Sequence, residues 1–275
     1  MRLISWNMHQ RAENWAVLAE LMQEYDAVAA MVQEAVAPPP KIRDDLRVFP
    51  DPSLGDKPWR MPVPAGARRN FASAVAVLGE APVAPWVPAA IGMAAYGESA
   101  ISHPGQWVAI GLGQPGRRVW AVSLYGLWET MPDSKDIFAQ ATLHRALSDL
   151  ALLLQARATK RVVVAGDLNI WRGYGHKDWE PGYSSVFERL GAYGVTLIGP
   201  HRTVDAPLEG CPCGAGADCT HVRTYRHQRR ASGTPYQNDY AFARGIDLAT
   251  CVALDDERHW QHSDHCPLLI DLPGM

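Results

Sequence analysis

Apolar residues along this chain fall into short runs that stop abruptly at polar ones. RLISWN, residues 2–7, has strand length. NWAVLAELMQ then changes period, and Trp15, Leu18 and Leu21 with Met22 recur on one face of a helix. DAVAAMVQE returns to a buried strand that ends at Glu34. Strand, helix and strand in that order predict a β-α-β unit with parallel strands. The stretch from VAPPPK to PVPAGARRN is rich in Pro and Gly and predicts a long irregular connection. FASAVAVLG, QWVAIGLG and RVWAVSLYG predict further strands of mixed alternation. IFAQATLHRALSDLALLLQA predicts a long amphipathic helix started near Pro132–Ser134. KRVVVAGDLN reads as a buried strand broken at Gly166, and VFERLGAYG as a short helix. Residues 200–237 read as irregular and cysteine-bearing, and QNDYAFAR, IDLATCVAL and HCPLLIDL as closing strands.

Strands outnumber helices too heavily for a doubly wound parallel sheet. The pattern fits an α/β architecture of four layers: two mixed β-sheets packed face to face as a sandwich, with helices on the outer faces. No composition shift and no fixed-period repeat divides the chain. Residues 1–275 are therefore expected to form one domain, with a Cys/His-rich insertion at about 209–222.

Composition narrows the function classes. The 275 residues are 47% apolar and 20% charged, with a net charge of −3. That is the balance of a soluble globular protein, and it argues against a polycation that coats DNA. Local contact with nucleic acid stays open. MRLISWN does not read as a signal peptide, and no apolar run approaches the ~20 residues of a membrane span. A cytoplasmic protein is expected, where clustered cysteines serve metals or chemistry more often than disulfides.

The candidate chemistry lies where apolar strands stop. Asn7, Glu34, Tyr125, Asp167 with Asn169, Asp239, and Asp264 with His265 all sit at such ends. Rigid scaffolds display functional groups there, and half-buried carboxylates need a reason to be half-buried. Each residue alone is explained equally well as a turn former, a strand cap or a satisfied buried group. Asp264 and His265 are neighbours on an extended backbone and point to opposite sides, so each needs a partner from elsewhere.

In order, SWN, QE, a Tyr, GDLN, NDYAF and SDHCPL resemble the motifs of the endonuclease/exonuclease/phosphatase superfamily, across residues 5–268. The superfamily includes deoxyribonucleases of the pancreatic type, abasic-site endonucleases, inositol polyphosphate phosphatases, sphingomyelinases and RNA deadenylases. The resemblance implies a metal-dependent phosphodiesterase, a hydrolase acting by direct attack of water, with nucleic acid as the first-choice substrate. It implies that Glu34 is the main carboxylate on Mg2+ (or Mn2+), with Asn7 supporting the metal or holding Glu34, and Asp264 facing the metal or its waters. Asp167 would activate water, Asn169 would bind a phosphate oxygen, and Tyr125 would hydrogen-bond the phosphate. His265 would stabilise the phosphate's oxygens, and Asp239 would orient it, fix its tautomer and favour its charged form. Several family members carry an acid where this chain has His9, which removes one possible metal carboxylate; His9 also reads simply as the residue leading into a helix.

Two other readings are a phosphatase or phosphodiesterase acting on a small molecule or lipid headgroup, and a non-catalytic binding protein. The complete residue set stands against the second. A Ser-His-Asp hydrolase built on Ser263 has no nucleophile elbow and lies too close in sequence to His265.

Cys211, Cys213, Cys219 and His221 form C-x-C-x5-C-x-H, a full tetrahedral donor set for structural zinc, though not a standard zinc-finger spacing. Free thiols, or a disulfide under oxidation, are the alternative. Cys251 and Cys266 read as core strand residues. Arg223, Arg226, Arg229 and Arg230 follow the cluster, interleaved with Tyr225, and Arg68 with Arg69 lies on another loop. These are candidate phosphate contacts or solvated loop charges. Trp171, Tyr174, Trp179 and Tyr183 follow GDLN and either stack on bases or pack the loop.

Overall fold

The computed structural model describes residues 1–62, 68–86, 100–130, 137–173, 178–202, 208–227 and 236–275. Strands β1 (Arg2–Asn7) and β2 (Ala27–Ala35) run parallel, joined by helix α1 (Asn14–Glu24). The sequence runs read as apolar because both faces of these strands are covered. Leu3, Ala29 and Met31 point one way, into a core between two sheets. Ile4, Trp6, Ala30 and Val32 point the other way, onto Trp15, Leu18 and Met22 of α1.

The two large sheets are filled by β3 (Leu46–Pro50), β4 (Ala72–Leu78), β5 (Val83–Pro85), β6 (Trp107–Leu112), β7 (Val119–Leu124) and β8 (Arg161–Asp167). They continue with β9 (Thr196–Gly199), β10 (Asp239–Arg244), β11 (Thr250–Ala253) and β12 (Leu268–Asp271). One six-stranded sheet has the order β11-β12-β1-β2-β4-β3, the other β9-β10-β8-β7-β6-β5. Both are mixed: β1 with β2 and β7 with β8 are parallel, and the other pairs are antiparallel. Val75, Val77, Ile110, Val163, Ala165, Leu268 and Ile270 meet between the sheets. Helices α2 (Gln140–Gln155) and α3 (Glu180–Ala192) cover the outer face of the second sheet, where Leu143, Leu147 and Leu150 pack on Val122, Val162 and Val164. The four-layer sandwich is therefore the observed architecture. No helix among the described residues is long and apolar enough to cross a membrane.

Several sequence-based boundaries differ. The helix α2 begins at Gln140, not near Pro132–Ser134. Ile137–Phe138 pairs instead with Glu129–Thr130, and Thr142 Oγ1 anchors the first turn by donating to the Leu127 and Ala139 carbonyls. Residues 131–136 lie outside the described residues. The segment expected to be irregular contains β3, a short edge strand whose polar flanks hide it. VFERLGAYG is only the second half of α3, whose first turn holds Pro181. TLIG forms β9, too short for alternation to reveal.

Topology sets the site. The parallel strands β1 and β2 end on the same rim at Asn7 and near Glu34, and β8 ends in Asp167 directly opposite the first residue of β10, Asp239. Gly166 is required there: at φ +155 its added Cβ would stand 1.9 Å from the Leu124 carbonyl oxygen.

Candidate active site

Three ionisable groups form a buried line at this rim. His265 Nδ1 is 2.8 Å from Asp239 Oδ2, and His265 Nε2 is 3.6 Å from Asp167 Oδ2. Asp239 is thus the partner that Asp264 cannot be. Strand register supplies the spacing, because Asp167 and Asp239 face each other across the β8–β10 ladder. The Thr224 hydroxyl accepts the Asn238 and Asp239 N–H groups at 2.9 and 3.1 Å, fixing the start of β10. His265 is pinned through its own backbone, since its carbonyl accepts from Trp6 Nε1 at 2.9 Å. Ser263 is not a nucleophile here: its hydroxyl donates to the Asn7 carbonyl at 2.8 Å and accepts from the His265 N–H at 3.1 Å.

Asp167 is gripped by neutral donors. Asn7 Nδ2 donates to Oδ2 at 2.9 Å, the Asn169 N–H to Oδ1 at 2.9 Å, and Asn169 Nδ2 to Oδ2 at 3.1 Å. Asn7 therefore holds Asp167 and not Glu34, and its carboxamide oxygen accepts the His9 N–H at 2.9 Å. Burial pushes the Asp167 carboxyl up to about 8, against the pull of the His265 charge and with the push of Asp239. Burial also opposes a charge on His265, but Asp239, Asp167 and Asp264 outweigh it and push the imidazole up to about 10.

Glu34 is half-buried and, among the described residues, accepts from neutral groups, Gln10 Nε2 at 2.9 Å and the Tyr125 hydroxyl at 2.8 Å. No ion pair to Glu34 is formed among the described residues. Burial, then Glu34 and Asp167, hold the Tyr125 phenol far above its ordinary range, so it stays a donor. Backbone strain gathers here: His9, Gln10, Glu34 and Asn169 have φ of 49, 58, 47 and 50°, in the left-handed region that non-glycine residues rarely occupy. Asp264 meets His9, whose Nδ1 lies 2.9 Å from Oδ1. That contact raises the His9 pKa, against the effect of its partial burial.

Glu34, Tyr125, Asp167, Asn169, Asp264 and His265 all open onto one cleft of about 490 Å³, with Arg69 on its wall. Trp128, half exposed, joins it to a second pocket of about 320 Å³ lined by Trp171, Trp179, Tyr183 and Tyr236. Neither Arg223 nor Arg226 lines the cleft. The Arg226 guanidinium is taken up by Glu257, at 2.6 and 2.9 Å, and lies 4.3 Å over the Trp260 ring. Trp171 is buried and forms the back of the second pocket. Arg229, Arg230 and Tyr174 lie outside the described residues, as does the Arg68 side chain. Sequence reasoning missed Gln10, Thr224 and Trp128. Only Trp128 carried a signal, an aromatic just past the strand end that Tyr125 marks.

Among the described residues two clusters bring potential metal ligands together: Asp167, Asp239 and His265, and separately Cys211, Cys213, Cys219 and His221, each with ligand atoms within 4.8 Å of one another. In the second, His221 Nδ1 lies 3.3 Å from Cys211 Sγ and 3.6 Å from Cys219 Sγ. Burial raises the Cys219 thiol, but the His221 and Leu208 backbone and neighbouring thiols outweigh it and lower its pKa. All five cysteines are free thiols in this structure.

No family model matches the chain, and no curated protein matches it either. Its fold does match solved structures. The endonuclease domain of TRAS1, a telomere-specific non-LTR retrotransposon, superposes with a TM-score of 0.59 at 16% identity, over 99% of this chain and 98% of its own. AP endonuclease LMAP from Leishmania major gives 0.62 at 16% identity, over 98% and 86%. An AP endonuclease from Archaeoglobus fulgidus gives 0.56 at 15% identity, over 99% of both. The chain shares the fold of these endonuclease structures, and its strand-end polar residues gather at one rim of it.

Proposed function

We propose that this protein is a divalent-metal-dependent phosphoesterase, a nuclease that hydrolyses nucleic-acid phosphodiesters by direct attack of water. The observation that carries the reading is the buried Asp239–His265–Asp167 line opening onto the cleft that also holds Glu34. The solved structures that share this fold include the endonuclease domain of a telomere-specific non-LTR retrotransposon and two AP endonucleases, which favours nucleic acid over a small molecule.

Each group has a role that follows from its surroundings. Asp167 takes the proton of the attacking water; with its carboxyl raised to about 8 it is, once ionised, a stronger base than an exposed carboxylate. Asn7 and Asn169 fix its orientation, so no rotamer search precedes the transfer. His265, kept charged by Asp239, stabilises negative charge growing on the phosphate oxygens as the bond to the leaving oxygen breaks. Arg69 adds a cation on the cleft wall.

The cleft's carboxylates fit Mg2+ or Mn2+. Glu34, bound among the described residues by neutral donors and held in strained backbone, would be the principal ligand, with Asp264 nearby on the cleft wall. When bound, the cation supplies neutralisation of the phosphate and leaving-oxygen charge. His9 in place of an acid, and engaged with Asp264, favours one ion over two. The three thiols and imidazole of the loop fit a closed, structural Zn2+.

The test is a cleavage panel of plasmid, single-stranded DNA, abasic duplex, RNA and a chromogenic phosphodiester. It is run with magnesium, with chelator, and with His265→Ala. Nucleic-acid cleavage that needs both magnesium and His265 is expected. Turnover of the chromogenic ester alone points to a small-molecule substrate, and no turnover on anything overturns the enzyme reading.

A further inference from the structure

The Cys/His loop and the aromatic pocket share a wall. Trp171, at the back of the pocket, meets His221 edge-on at 5.6 Å and Tyr236 at 5.3 Å. His221 faces both ways. Its Nε2 lies 2.7 Å from the Arg172 carbonyl oxygen, so that nitrogen carries the proton and donates. Its Nδ1 is then an unprotonated donor atom, and it points at Cys211 and Cys219. This is the arrangement by which an outer hydrogen bond fixes a metal-binding imidazole. The chain two residues on also passes close to the ring: a Cβ on Gly173, at φ +72, would stand 3.3 Å from His221 Cε1. Beyond His221, the Val222 N–H donates to Gln237 Oε1 at 3.0 Å, beside Tyr236. The Thr224 and Tyr225 N–H groups donate to the Tyr236 carbonyl at 2.9 and 3.1 Å. The cluster is thus fastened to both sides of the pocket, at Arg172 and at Tyr236.

The pocket itself suits a planar ring. It shares Trp128, Asn169 and Tyr225 with the phosphate cleft, so its occupant sits next to a phosphate bound there. Aromatic faces stack on any base, and Asn169 and Asn238 supply polar edges.

We propose that Cys211, Cys213, Cys219 and His221, loaded with zinc, clamp Trp171 and Tyr236 as walls of a subsite for the nucleobase beside the scissile phosphate. This rests on the phosphoesterase reading above. Zinc at the clamp then governs how tightly a base-bearing strand is held, while Asp167 and His265 perform hydrolysis. The clamp is a positioning device: it touches the substrate only through the walls it holds.

The experiment uses full-length protein purified without added metal. Zinc content and thiol titration are measured first. Fluorescence anisotropy then compares two single-stranded oligonucleotides of equal length, one with bases and one abasic throughout, in a His265→Ala background that leaves strands uncut. The expected result is about one zinc per chain and a base-bearing strand bound about tenfold more tightly. Cys219→Ser loses the zinc, and the ratio falls toward one. Tyr236→Leu keeps the zinc and shows the same fall. Stripping zinc from the unaltered clamp and restoring it lowers and recovers the ratio, which serves if Cys219→Ser fails to fold. Zinc-free protein with every thiol titratable overturns the proposal, as does an even ratio before any substitution. A ratio that survives loss of zinc also overturns it. Failure of the phosphoesterase reading shows separately, as no magnesium- and His265-dependent turnover of a chromogenic phosphodiester.

Discussion

The strand-end cluster and the loop cluster gather ligands by opposite means. Asp167, Asp239 and His265 come from distant parts of the chain, and the sheet ladder and buried hydrogen bonds set their spacing. Cys211, Cys213, Cys219 and His221 lie within one short loop, partly exposed, on turns such as Cys211 N–H to Leu208 and Cys219 N–H to Gly216. The first is preorganised by the fold and needs nothing else to hold its geometry. The second has almost no core, Cys219 being the one buried member of the cluster, so the proposed zinc would be its source of order. Damage to the first should therefore remove chemistry and spare the fold, and damage to the second should do the reverse.

The largest effect tests the first half of that contrast. His265→Ala and Asp167→Asn should each lower kcat roughly a thousandfold, the range of a lost general base or oxyanion donor. Circular dichroism should stay native, since both side chains act at the end of a sheet whose core is elsewhere. Unfolding would show that the cluster is structural. Asp239→Asn comes next, at roughly a hundredfold, because the imidazole loses the partner that charges and orients it. Its pH–rate profile should shift toward lower pH for the His265 limb. An unshifted profile would mean that Asp239 does not set the state of His265.

The two clusters were also legible in different ways. The loop cluster was readable because its ligands are sequence neighbours, and C-x-C-x5-C-x-H needs no fold to assemble it. Its bond to Arg172 was not, since a backbone carbonyl leaves no trace in residue identity. For the strand-end cluster, sequence marked each member by its place after an apolar run, and two-sided burial made those runs visible. The pairing of Asp239 with His265 came only through resemblance. Residue order could not tell that Asn7 grips Asp167, or that Gln10 reaches Glu34, because those contacts depend on how strained turns aim side chains. Arg226 shows a related limit: a basic residue beside a site looks the same in sequence whether its charge is free or paired, as it is here with Glu257.

Smaller effects sharpen the contrast. Stripping metal from the loop should lower Tm by several degrees, as about 1–2 kcal/mol does in a chain of this size. Differential scanning calorimetry in chelator, with zinc added back, measures it, and an unmoved Tm would mean that the loop contributes no stability. The strand-end cluster should leave a different thermodynamic mark. The folded pKa of His265 is raised from 6.5 to about 10, so between those values the folded state binds the extra proton. Its stabilisation is complete below pH 6.5 and is lost as pH rises through about 10. Urea unfolding in chelator should show stability falling across that window, and His265→Asn should flatten the slope. An equal slope in the variant would place the linked proton elsewhere.

The smallest expected effect is Arg226→Ala. A surface arginine near a nuclease cleft is the obvious phosphate contact, and its loss would ordinarily weaken binding and reduce the salt slope by about one. Here both nitrogens of the guanidinium's outer fork are bound by Glu257, and its face rests on Trp260. Breaking that arrangement to reach a phosphate forfeits two charge-assisted bonds and a cation–π contact for one new bond, so the side chain should stay where it is. KM for nucleic acid and its dependence on salt should then change by less than about twofold, as for other substitutions that touch only surface ion pairs. Glu257→Gln offers the converse: with the fork released, Arg226 becomes available, and affinity should rise in Glu257→Gln but not in the double variant. A large loss in Arg226→Ala alone would mean that the substrate displaces Glu257, making this ion pair part of the binding surface.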